Sequence, residues 1–448
     1  MRRTFLLLAA LSVFAAAHAQ KRWTLDECIA WALEHNIEIK TQELSAETRR
    51  VTLSESKWAY APDISASNSY NVSSGRVLDP TTYDFVENQT VQGNNTSVSA
   101  GITLFSGMRN LHSLKRAKLD LQSALLGVEK TRNDVTLNVT ARYLEILCAA
   151  ENIRNAEQIV ATLKIQEEKT AKKVEARKVT TADLLQIQSQ LADAENNVFM
   201  ARNTYDIARL DLCQLLEIED YTVFEPAAPE ASLPDGGSLP QEAGTVVEAA
   251  MTLPEVRMAV LDIDLARRDI RIAQAAYYPT LSLSAAYGSS YSDARQKVFQ
   301  NPDGTYRYEA YPFFEQYRDN ANKYLSLSLN VPIFGGLQKR KAVRRSKIAL
   351  RQAEYALQTM RKQVSKEVTQ AWIDLRTAEE KFRSSQKFVA TASEAARQVE
   401  RKYELGVATV VDYNTTLDNL VKANSQLLQA KYEYIFKTWI INFYLTSR

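Results

Sequence analysis

Two Thr-x-x-Asp turns, Thr180–Asp183 and Thr409–Asp412, are the polar groupings in this chain whose spacing recurs. At that spacing the threonine can cap a helix that starts just after it, and the aspartate near N3 can answer it, a short-armed capping box. Gly406 precedes the second turn and suits a left-handed helix end, whereas the first copy has Arg177 there and is expected to turn differently. Catalytic chemistry finds no comparable grouping. Past the N-terminal segment only His35 and His112 remain, far apart, so neither a histidine-based triad nor a metal cluster is expected. The stretch "GITLFSG" has glycine spacing without the Lys-Ser/Thr of a phosphate loop. Paired carboxylates sit on highly charged helices and read as solvated faces. The chain is read as no enzyme, with no cofactor.

Residues 1–19 read as a signal peptide: Arg2 and Arg3, an apolar run from Phe5 to Ala17, then "AHA" before Gln20. Cys28 follows two acidic residues, which argues against a lipid-modified terminus. Without the two arginines the chain has 53 basic and 53 acidic residues, and no long basic block appears, so no nucleic acid is expected as partner. Cys28, Cys148 and Cys213 are odd in number and widely spaced, implying no disulfide framework. Beyond residue 19 no apolar run approaches the roughly 20 residues of a membrane helix. A membrane β-barrel stays open, because its signal per strand is weaker.

The elements that position the turns come in two copies. "YAPDISASNSY" (60–70) parallels "YYPTLSLSAAY" (277–287) at an offset of 217, and "SVSAGITLFSG" (97–107) parallels "SLSLNVPIFGG" (326–336) at 229. The turns share the second offset, so the extra 12 residues fall between the paired strands of the second copy. Four segments alternate with period two, each with a serine-rich face opposite an apolar one, such as Ser282 and Ser284 against Leu281 and Leu283. Serine is too small and polar to fill a sandwich core, but it suits a wetted lumen.

Proline and glycine are absent from 128–225, 337–405 and 407–448, which read as long helices. A stripe from Leu350 through Leu357, Val364, Val368 and Leu375 to Tyr403 steps by 3 and 4, a coiled-coil seam with a stutter. Descending helices over about 107–176 and 336–405 are matched by ascending pieces 181–216 with 245–277, and 410–445 with 24–59. These lengths imply a rod with a belt at mid-height. Four strands cannot close a barrel, and open edges in lipid leave backbone groups unpaired at several kcal/mol each. Oligomerisation is therefore required, giving about 8, 12 or 16 strands for two, three or four copies.

On "TLDECIAWALEHNIEI" (24–39), the strand endings "LFSG" and "IFGG", the turn "YELGVATVVD" (403–412) and the duplication, the chain resembles the TolC family of outer-membrane efflux and secretion channels. The resemblance implies a mainly α fold with a membrane β-barrel part: tandem-duplicated long-helix hairpins, plus four strands per protomer in a trimeric 12-stranded barrel. It implies a passive exit duct in the Gram-negative outer membrane, serving a tripartite efflux pump or type I secretion system. The implied partners are two further copies, outer-membrane lipids, a periplasmic adaptor (membrane fusion) protein and an inner-membrane RND, ABC or MFS transporter.

The first repeat then spans 20–243, with strand pair 62–74/94–105, a tip near 173–183 and an equatorial linker 217–243. The second spans 244–448, with strand pair 279–291/322–334, a tip near 402–412 and an equatorial C-terminal end. The implied gate at the tips comprises Thr180, Asp183, Tyr403, Gly406, Thr409 and Asp412, with Asp412 either a threefold carboxylate ring or a helix cap alone. The family's tip contact between a tyrosine and an aspartate matches Tyr403 and Asp183. Ala408 and Thr415 stand where other members have an arginine and a second aspartate, so the gate is expected to be held either more weakly or by Arg177, Lys178 or Arg401 instead. Strand–helix junctions fall at Pro62, Phe105, Gly107, Pro279, Phe334 and Gly335. The rival reading is a periplasmic coiled-coil adaptor or scaffold without a pore.

Overall fold

The computed structural model describes residues 22–78, 84–227 and 242–446. The expected signal segment and linker residues 228–241, with Pro229, Pro234 and Pro240, lie outside them. In chain order the first repeat holds β1 (Arg22–Trp23), α1 (Leu25–His35), α2 (Ile37–Trp58), β2 (Asp63–Leu78), β3 (Phe85–Ser106), α3 (Arg109–Glu175), α4 (Thr181–Leu215) and β4 (Glu225–Pro226). The second holds α5 (Ala243–Ala250), α6 (Pro254–Ala275), β5 (Thr280–Ser292), β6 (Gln296–Gln300), β7 (Tyr306–Ala310), α7 (Phe313–Asp319), β8 (Asn322–Asn330), α8 (Gln338–Glu404) and α9 (Val410–Thr446). Both ends of α3 and the start of α4 recur 229 residues later in α8 and α9. At 1.5 Å per residue, the 67-residue α3 and α8 are each about 100 Å long.

Two of the ascending pieces are broken where the sequence suggested continuity. Asn36 ends α1 and starts α2: its Oδ1 accepts from the backbone of Glu38 (2.9 Å) and Ile39 (3.3 Å), while Nδ2 donates to the Leu215 carbonyl (3.0 Å). A buried asparagine with these partners substitutes for the lost helical bonds. The second break, at Met251–Leu253, precedes Pro254, which occupies the first helical position where its missing N–H costs nothing.

The chain forms two compact units. One comprises residues up to Ala46, Ala124–Val260 and those from Ala356 onward. Its main core gathers Cys28 and Ala32 of α1, Val135, Val139 and Ile146 of α3, Leu212 of α4, then Phe224 and Tyr432. Here β1 and β4 pair in parallel, and the Tyr143 hydroxyl bonds the carbonyls of Trp23 (3.0 Å) and Ala227 (2.8 Å). A second core joins Val246, Leu253 and Val256 to Val364, Val368 and Leu375 of the α8 seam and Ile441 of α9. Each such side chain, fully buried, contributes roughly 1.5–3 kcal/mol.

The other unit comprises Glu47–Ser123 and Leu261–Tyr355, and contains an antiparallel sheet ordered β2-β3-β5-β8. Serines meet across the ladder: Ser65 pairs Ser99 with Oγ···Oγ 3.0 Å, Ser67 pairs Ser97 at 2.9 Å, and Ser282 and Ser284 oppose Ser328 and Ser326. On the opposite face Ala66 meets Val98, Ile102 meets Leu283, and Leu281 meets Leu329. A bulge at Leu104 keeps Phe105 opposite Leu281. The strands differ in extent from the periodicity. β2 and β3 run further, to Leu78 and from Phe85, while β8 stops at Asn330 rather than 334, two residues before Pro332, which has no N–H to donate.

The extra residues of the second copy fold over the far end of this sheet as the β6–β7 hairpin and α7. Phe313 stacks on Tyr317 (4.5 Å) and lies 4.9 Å from Tyr291. The fully buried Gln316 accepts from Ser292 N and donates to the carbonyls of Ser292 and Tyr311, so its amide is satisfied. Among the described residues no helix is long and apolar enough to cross a membrane.

Candidate functional site

The turns joining α3 to α4 and α8 to α9 are near-copies. At the first, Asp183 N donates to Thr180 Oγ1 (3.3 Å), and Asp183 Oδ2 accepts from Thr180 N (2.8 Å) and Oγ1 (2.7 Å). At the second, Asp412 N donates to Thr409 Oγ1 (3.1 Å), and Asp412 Oδ2 accepts from Thr409 N (3.1 Å) and Oγ1 (2.7 Å). Both are full capping boxes. Thr24 and Glu27 build a third at the start of α1, with the longer acid the motif usually has. The Thr409 hydroxyl and amide hold the exposed Asp412 carboxyl below its ordinary range. It is therefore a fixed negative charge at neutral pH.

The helix ends before the turns are also alike, which corrects the expectation that Arg177 forces a different turn. Arg177 adopts φ +56° and Gly406 φ +77°. In each case the next amide reaches back five residues, Lys178 N to Lys173 O (2.9 Å) and Val407 N to Lys402 O (2.8 Å), the bond of a Schellman motif. The bonds formed at the helix end outweigh the roughly 1–2 kcal/mol that a left-handed non-glycine residue costs.

Tyr403 lies near this turn, 6% exposed, in a small core with Ile187 and Tyr413. Its ring stacks on Tyr413 at 5.2 Å, and Lys173 Nζ sits 4.6 Å from its centroid. Among the described residues the Tyr403 hydroxyl has no hydrogen-bond partner, so it is not joined to Asp183 within the chain. Buried Thr170 Oγ1 and both amide atoms of Asn414 are equally unpartnered. Leu405, Val407 and Val411 at the second turn, and Leu185 just after the first, are exposed.

At the sheet end of α3, Gly107 and Met108 are both left-handed (φ +63° and +66°), and before α8 Gly336 and Leu337 repeat this (φ +58° and +62°). A Cβ on Gly107 would lie 2.6 Å from the Ala275 carbonyl oxygen and 2.7 Å from Tyr278 Cβ. The residue equivalent to Gly107 is thus Gly336, not Gly335, which has no positive φ. The offset of 229 contains that signal. Pro62 and Pro279 directly precede β2 and β5, and Phe105 is the penultimate residue of β3, beside the bulge, while Phe334 projects, exposed, after β8.

The cysteines are not reactive groups. Cys28 and Cys213 are buried, and burial pushes the thiols of Cys148 and Cys213 up to about 11. Among the described residues no three histidine, cysteine or acidic side chains converge as metal ligands.

A family model described as "Outer membrane efflux protein" matches residues 29–216 and 246–436. The outer membrane protein TolC of Escherichia coli (strain K12) is 20% identical over 454 residues, covering 97% of this chain and 84% of that one. Among solved structures, CusC, described with transmembrane channel formation, superposes with TM-score 0.79 at 14% identity, over 94% of this chain and 91% of its own. The outer membrane protein VceC of Vibrio cholerae gives TM-score 0.74 at 14% identity, over 94% and 95%.

Proposed function

Because this chain belongs to the outer membrane efflux protein family and is an outer-membrane efflux duct, we propose that it works as the passive, trimeric exit channel of a tripartite efflux pump or type I secretion system. The observation that calls for further copies is the sheet, and the family resemblance sets their number at three. β2 and β8 are open edges, and Leu325, 74% exposed, lies with Leu327 and Leu329 on an apolar face whose reverse is serine. Apolar outside and polar inside is the pattern of a strand between lipid and a wet lumen. Three copies joined β8 to β2 close a barrel of about 12 strands and remove every edge.

The helical hairpins then form the periplasmic conduit, and the tips meet its partners. The exposed Leu405, Val407, Val411 and Leu185 are where a periplasmic adaptor docks, coupling the duct to an inner-membrane transporter that supplies the energy. The Asp412 carboxylates of three copies form a ring at the mouth that favours cations. The family is one of channels rather than enzymes, and the duct needs no catalytic group. The rival, a pore-less coiled-coil adaptor, leaves the four-stranded sheet without a role.

Reconstitution into planar bilayers tests this reading. Discrete conductance steps are expected from purified protein. Protein that inserts without conducting contradicts the channel.

A further inference from the structure

The formal net charge of the chain is only +2, yet its distribution is uneven. In the unit that contains the sheet, the helical segments 47–62, 107–123, 261–279 and 336–355 carry 17 lysines and arginines against 7 acidic residues. The steepest concentration is "KRKAVRRSK" (339–347), at the start of α8, six cations without an acid.

Four of the seven acids are already engaged. Arg116 takes both Asp120 (2.6 Å) and Asp269 (2.7 Å), Arg267 takes Asp264 (3.0 Å), and Arg50 takes Glu47 (2.7 Å). Among the described residues Lys339, Arg340, Lys341, Arg344 and Arg345 have no ion-pair partner, and all but the half-buried Lys339 are exposed. Positive charge also gathers at the end of α6. Burial, then Arg268, Lys115 and Arg271, push His112 below its usual range.

Beside these cations lies an apolar and aromatic rim. At this end of the sheet Ile333 is 94% exposed and Phe334 83% after β8, Tyr277 and Tyr278 are exposed before β5, and Trp58, before β2, is 72% exposed. Aromatic rings adjoining lysines and arginines are the composition of a bilayer interface. Lys339 to Arg345 fall within the first two turns of α8, about 10 Å of rise. That is close to the roughly 8 Å over which physiological salt screens charge.

We infer that these helix ends form a cationic collar that binds the anionic phospholipid headgroups of the leaflet nearest the helices. The inference rests on the membrane placement of the sheet proposed above. A second copy of the chain cannot be the neutralising partner, because it brings the same excess: closing three copies concentrates like charge around one ring. Anionic headgroups at that level supply the opposite sign where it is missing.

The test reads Trp58 in the full-length protein with Trp23, Trp31, Trp372 and Trp439 changed to Phe. The protein is reconstituted with brominated phosphatidylglycerol or brominated phosphatidylcholine, whose bromines quench a neighbouring indole. Phosphatidylglycerol is expected to quench about 5-fold more effectively at 50 mM NaCl, as one effective cation contact requires, and the preference is expected to vanish near 500 mM. Changing Lys339, Arg340, Lys341, Arg344 and Arg345 to Gln should abolish the preference. Changing Arg361, Lys362 and Lys366 to Gln, further along the same helix, should leave it intact.

Equal quenching by both lipids at low salt overturns the collar while leaving the sheet in the membrane. Absence of quenching by either lipid removes the membrane placement itself. If the multiple tryptophan variant does not fold, the unmodified chain is extracted in mild detergent and its bound lipid weighed by mass spectrometry. Enrichment of phosphatidylglycerol over the bulk membrane supports the collar, and a bulk ratio overturns it.

Discussion

Arg177 and Gly406, 229 residues apart in sequence, end their helices with the same left-handed backbone, φ +56° and +77°, and the same reach-back hydrogen bond. Only one of them has the residue type that adopts this conformation freely. Arg177→Gly should therefore stabilise its turn by up to about 1 kcal/mol, offset in part by the greater freedom of glycine when unfolded. Gly406→Ala should destabilise the other by about 1 kcal/mol. Hydrogen exchange of the Lys178 and Val407 amides reads each turn separately: slower at Lys178 in the first variant, faster at Val407 in the second.

Asp412 links the tip to pH. Its folded carboxyl titrates below the ordinary 3.8, so its capping contribution is complete above that value and is lost as pH falls through the lower, folded one. Cation preference in bilayers is expected to persist from neutral pH down to about pH 4 and then fade. Asp412→Ala should reduce that preference at neutral pH. An unchanged reversal potential across a salt gradient would refute the carboxylate ring and leave capping as the residue's whole role.

Tyr403 is the sharpest probe of how the tip is held. Its buried hydroxyl has no partner among the described residues, and removing an unpaired polar group from such a site relieves roughly 1 kcal/mol or more. Tyr403→Phe should leave the tip as stable or more so, with closed-state conductance unchanged. A rise in closed-state conductance would mean that the hydroxyl is bonded across the assembled tip.

The two sheet-to-helix junctions should respond unequally to the same change. Gly107→Ala meets both a positive φ and backbone 2.6 Å from the new methyl group, so folded yield should collapse. Gly336→Ala meets positive φ in open space and should cost only about 1–2 kcal/mol. Yields of detergent-soluble, heat-resistant assembly compare them directly.

Much of this organisation is legible in the residues because the duplication makes each copy a control for the other. Serine alternation marks the strands, and absent breakers together with the Val364–Val368–Leu375 seam mark the long helices. What escaped has physical causes. Arg177 hides its left-handed angle, since hydrogen bonds at the helix end rather than residue type impose it. Asn36 replaces a helical turn with side-chain bonds, which periodicity does not register. At the fourth strand, apolar alternation continues through Val331 and Ile333 although Pro332 has no ladder donor. At the second junction the left-handed glycine is Gly336, the residue that the offset of 229 pairs with Gly107, rather than Gly335. The cations at 339–347 disappeared into a near-zero sum.

The account depends on three chains being needed to close one wall. Multi-angle light scattering of the detergent-solubilised protein, corrected for bound detergent, counts the chains in each particle. Three chains per particle is the predicted result. A particle of one chain, stable in detergent and equally stable without it, would contradict the account.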